Sequence, residues 1–109
     1  MIDLSKLITA EEKASEQIKQ TQAAKIAAVQ QHMDDQAKAL GYDDIKSAAT
    51  YAEETAVPKF QAEGQAFRAW RSLVWAACYQ IMDEVSAGDR SVPSDAELIA
   101  ELPALNLPE

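Results

Sequence analysis

Few residues in this chain of 109 could do covalent or acid–base chemistry: one histidine, His32, one cysteine, Cys78, and the acidic pairs Asp34-Asp35, Asp43-Asp44 and Glu53-Glu54. A catalytic histidine needs a nucleophile on one side and an orienting acid on the other. No such grouping is recognisable around His32, which reads as a rim residue of a helix. A zinc site draws on three or four Cys, His or carboxylate ligands, and one histidine with one cysteine cannot supply the usual set. Neighbouring residues on a helix point about 100° apart, so the acidic pairs do not converge on one ion. None has the spacing of a calcium loop, and the three glycines stand alone, so no loop cradles phosphate. No catalytic, cofactor-binding or metal-binding residue is assigned, and the expectation is a protein that is not an enzyme.

The residues that point to recognition are aromatic. Phe67 to Ile81 hold both tryptophans, two of three arginines, the cysteine and one of three tyrosines. Trp, Tyr and Arg dominate binding hot spots, but a buried tryptophan also fills space between helices. Trp70 lies on an apolar stripe and is assigned to the core. Trp75 lies off it and, with Arg71, is the candidate partner contact.

The elements that must carry these residues are helices. The chain has 21 alanines against 3 glycines and 4 prolines, a ratio that favours helix, and no alternating strand pattern appears. Thr9 and Glu12 form a capping box, with Ile8 placed for a hydrophobic staple. Gly41 follows a run free of glycine and proline, which predicts a long helix over about 10–40. Its apolar stripe is thin: Ile18, Ile26, Val29, Met33, Ala37 and Leu40. A helix so long and so thinly striped is marginal alone. Ile18, Ile26, Val29, Met33 and Leu40 are therefore read as a docking face for a partner or for other copies of the chain.

Asp43 and Asp44 start a second helix, over about 43–54, which ends before Pro58. The third, over about 59–87, is the expected core element. Phe60, Phe67, Trp70, Val74, Ala77, Ile81 and Val85 recur at helical spacing, and Gly64 marks a close helix crossing. Gly88 stops it. Ser94 and Glu97 make a capping box for a short helix over about 95–102, which Pro103 ends. Leu105 and Leu107 are placed to anchor an extended tail. The reading is an all-α small bundle in two parts: a docking or oligomerisation segment, 1–41, and a helical bundle, 42–109.

The net charge is −8, and residues 42–109 carry −7 of it, from twelve acids and five bases. Such a chain is repelled by nucleic-acid phosphates and by anionic membranes. No apolar run approaches the roughly 20 residues of a membrane helix, and the N-terminus lacks the pattern of a signal peptide. The single Cys78, inside an apolar helix, reads as a small hydrophobe.

Several segments together resemble small proteins and C-terminal domains of tailed bacteriophages and prophages, encoded near tail-fibre genes. They are Gly41-Tyr42-Asp43-Asp44-Ile45, Ser47 to Ala52, Phe60 to Arg71, Val74-Trp75, Cys78-Tyr79, Gly88 to Ser94 and Glu101-Leu102-Pro103, with the opening Ile2 to Ala10. The resemblance implies a protein that binds a tail fibre or a neighbouring tail protein, in the virion tail or in the host cytoplasm during assembly. The alternative that the same resemblance implies is an assembly chaperone absent from the virion. Since tail fibres are commonly trimers, a homo-trimer is one expected state. A reading of another class, from the charge alone, is an acidic inhibitor of a host defence protein.

Overall fold

A computed structural model describes the backbone of residues 4–108 and the side chains of residues 16–108. It is all-helical, with no strand among the described residues. The elements are α1 (Leu4–Ala39), α2 (Ile45–Thr50), a 3₁₀ turn (Tyr51–Glu53), α3 (Pro58–Ser86) and α4 (Asp95–Glu101).

The two long helices stop as their glycines require. Gly41 follows α1 at φ +94° and Gly88 follows α3 at φ +81°. In each case the backbone closes a paired C-terminal motif. Tyr42 N–H donates to Ala37 O and Gly41 N–H to Lys38 O; Asp89 N–H donates to Glu84 O and Gly88 N–H to Val85 O. These bonds satisfy carbonyls that the helix itself leaves open. Pro58 occupies the first turn of α3, where its missing N–H costs nothing.

Three boundaries differ from the sequence expectation. α1 is already helical at Leu4 and runs through Thr9, so Thr9 does not begin it. Nothing from Leu4 to Ala39 breaks a helix. The side chains of the expected capping box and staple, Ile8, Thr9 and Glu12, lie outside the described residues. α2 is shorter than 43–54: Asp44 caps it by accepting from Ser47 N–H at 2.7 Å, and it tightens into the 3₁₀ turn. α4 ends at Glu101, with Leu102 as its C-cap.

One core joins all four helices. Val29, Met33 and Ala37 of α1 are fully buried with Ile45 and Ala48 of α2, Phe67, Val74 and Cys78 of α3, and Leu98 of α4. Full burial of each large apolar side chain contributes about 1.5–3 kcal/mol. The expected boundary at residue 41 therefore separates two helices but not two cores. Gly64 is the tightest crossing. A Cβ there would stand 2.6 Å from the Tyr51 carbonyl carbon and 3.0 Å from Ala48 O, and would meet Ala52 N as well.

Two of the expected core residues of α3 lie outside that core. Phe60 is 40% exposed; it sits in the first turn of α3, with the ring of Tyr51 5.8 Å away. Val85 is half-buried at the other end, on the wall of an open groove. Phe67, Trp70, Val74 and Ile81 are buried as expected.

The tail is held at two points. Trp70 Nε1–H donates to Pro103 O at 2.7 Å, and Leu105 packs against the core. Leu107 is more open.

Candidate interaction surface

Five of the six residues in the acidic pairs have partners within the chain. Asp34 Oδ1 accepts from Ile45 N–H and from Gln30 Nε2–H, both at 3.1 Å, tying α1 to the start of α2. Asp35 accepts from Gln31 at 2.7 Å. Bonds from the backbone N–H and side chain of Ser47 hold the Asp44 carboxyl below its ordinary range. Glu53 pairs with Arg68 at 3.7 Å, and Glu54 Oε1 accepts from Ala56 N–H at 2.7 Å. No group of three His, Cys, Asp or Glu is placed to hold a metal ion among the described residues.

His32 stands edge-on to Trp70, with ring centroids 5.8 Å apart. Cys78 is buried, and burial pushes its thiol pKa up, which makes it a poor nucleophile. Its Sγ lies 3.9 Å from Met82 Sδ. Every buried side-chain nitrogen and oxygen among the described residues has a hydrogen-bond partner.

The residues read as a docking face do not form one. Val29 and Met33 are fully buried in the shared core, because α1 packs along α2 and α3 over this stretch. Ile26 is half-buried beside them. Leu40 is 43% exposed at the C-terminal end of α1. Ile18 is 60% exposed and lies 22 residues away, about 33 Å along the helix. Arg71 is half-buried. Trp75 is half-buried too, packed on the core and stacked on Tyr79 with ring centroids 5.9 Å apart and planes 27° apart.

α1 thus divides. Glu16 to Gln20 are all exposed, while burial begins in earnest at Val29. Where the first part runs beside the end of α3, the helices leave a groove of about 460 Å³. Ile18 and Thr21 line one side, Ile81, Met82 and Val85 the other, and Val92, Pro93 and Leu98 close it. Lys25 spans the rim, with Nζ 2.7 Å from Asp95 Oδ1.

The loop that closes the groove is fixed by Arg90. Its guanidinium forks onto Glu101 at 3.0 and 2.7 Å and reaches Glu84 at 3.6 Å, joining the ends of α3 and α4. The sequence points to Ile18 but not to this site. Val92 and Pro93 read only as loop residues, and the separation of α1 from α3 leaves no periodic signal.

Comparisons with protein-family models, with curated proteins and with solved structures find no match. No helix among the described residues is long and apolar enough to cross a membrane.

Proposed function

We propose that this chain is a non-enzymatic protein-binding component of a bacteriophage tail that engages a tail fibre or a neighbouring tail protein. The observation that carries the binding role is the division of α1. Its second part is locked into the core, while Glu16–Gln20 are exposed and Ile18 stands at the mouth of an apolar groove. A helix left open over more than one turn beside such a groove is suited to receiving another helix. The tail setting rests on the sequence resemblance of Gly41–Ile45, Phe60–Arg71 and Gly88–Ser94 to tail-associated phage proteins.

Co-expression with candidate tail-fibre proteins of tailed phages tests the reading. A complex that survives size-exclusion chromatography is the expected result. Failure to bind any of them would contradict it. Mass spectrometry of purified virions separates a resident component, which stays, from an assembly chaperone, which leaves.

A further inference from the structure

The face that α3 turns away from the core is neither wholly polar nor uniform in charge. Phe67, Val74, Cys78 and Ile81 are buried on one side of the helix, while Arg68, Leu73, Ala76, Tyr79 and Asp83 are exposed on the other. At about 100° per residue, Leu73 and Tyr79 flank Ala76 by about 60° on either hand. They are 58% and 53% exposed. Tyr79 is steadied by its stack on the half-buried Trp75, so it presents a fixed ring and loses little freedom on contact.

Charge divides along the same helix. Residues 58–72 carry Lys59, Arg68 and Arg71 against Glu63, a net of +2, and residues 73–86 carry Asp83 and Glu84 alone, a net of −2. The two acids stand in the last turn, which holds no base, against the partial negative charge of a helix C-terminus. Their placement does not serve α3 by itself.

We infer that this face of α3 pairs with the same face of a second copy, the two helices antiparallel about a twofold axis at Ala76. A twofold interface must be complementary to itself, so that where one residue meets another the reverse contact forms too. Positions equally far before and after Ala76 then come level. Leu73, three residues before it, meets the level of Tyr79, three after. Arg68, eight before, comes within a residue of the level of Asp83, seven after, so an arginine of each copy reaches an aspartate of the other. Arg68 is available for this: its contact with Glu53 is 3.7 Å long, with the two side chains 61% and 87% exposed, and such pairs hold weakly. The small Ala76 lets the helix axes approach closely. Leu73 and Tyr79 provide the affinity, and the charges set the antiparallel direction. Each copy carries −8 overall, which opposes association. At about 0.15 M salt, however, charges act over only about 8 Å, and those within reach at the seam are opposite. The groove beside α1 opens on the other side of α3, at Ile81, Met82 and Val85, so self-pairing leaves it free and neither role depends on the other.

Sedimentation velocity of the full chain over a concentration series, at about 0.15 M salt, is the test. A reversible dimer is expected. Arg68→Glu and Asp83→Arg each set like charges together at both ends of the seam and should weaken the dimer about tenfold. Mixing these two variants should restore a dimer as tight as that of the wild type, because each brings the charge that the other lacks. Ala76→Glu sets two carboxylates face to face on the axis and should abolish pairing. All three positions are exposed, so thermal midpoints at low concentration should stay at the wild-type value.

A chain still monomeric at about 1 mM would overturn the inference. So would a trimer, a dimer that Ala76→Glu leaves intact, or charge variants that do not recover on mixing.

Discussion

Met33 and Gly64 show how single side chains hold α1, α2 and α3 together. Met33 is fully buried, so Met33→Ala should cost about 2–5 kcal/mol through lost burial and the cavity left behind, measured by denaturant unfolding. Gly64 works in the opposite sense. Alanine is the better helix former by about 1 kcal/mol, yet its Cβ would meet backbone of Tyr51 and Ala52, which cannot swing aside. Gly64→Ala should therefore destabilise by about 1–3 kcal/mol. Tyr42 adds an alkaline limit. Burial, followed by its bond to Glu63 Oε2 at 3.0 Å, pushes its phenol from 10.0 to about 12. The folded protein keeps this proton where the unfolded chain releases it. Stability is thus intact below about pH 10 and falls as pH rises toward about 12. Ultraviolet titration should show a phenol ionising near the upper value, and Tyr42→Phe should remove it.

At the scale of elements, the caps decide where helices begin and end, and most were legible because each needs a particular residue type. Gly41, Gly88, Pro58, Asp44 and the Ser94–Glu97 box do as their chemistry demands. Thr9 misled because a capping box carries the same residues whether or not helix continues before it. The docking stripe misled for a related reason: a thin apolar line marks burial but does not say whether the chain or a partner covers it. Val29 and Met33 are covered from within, Ile18 is not. The groove was illegible because it lies between elements distant in sequence, and its loop residues Val92 and Pro93 have no period to read.

Two tests belong to these elements. Ser94→Ala removes the acceptor for Glu97 N–H at 3.2 Å and should cost about 0.5–2 kcal/mol, since α4 carries the buried Leu98. On the acid side, Ser47 holds the carboxyl of Asp44 low, Ser94 that of Glu97 and Arg90 that of Glu101. Their stabilisation is present above the ordinary carboxylate pKa of about 4 and is lost as pH falls below it. Acid titrations of thermal stability should show this decline, reduced in Asp44→Asn.

The whole molecule is long for its mass. It extends 73 × 24 × 19 Å, with a Cα radius of gyration of 18.8 Å, against about 13 Å for a compact domain of this length. α1 makes the difference, because 36 residues span about 54 Å. Small-angle scattering at low concentration should return a radius near 18.8 Å, whereas a value near the compact one would mean that α1 breaks and folds back. α1 divides between a part that belongs to the core and a part that is exposed. Urea unfolding of Ile18→Asp beside Val29→Asp tests that division most directly. We expect Val29→Asp to lose more than about 3 kcal/mol, the cost of a charge forced into the core. Ile18→Asp should stay within about 0.5 kcal/mol of the wild type, as exposed positions do. Equal losses at the two positions, or a larger loss at Ile18, would contradict the account.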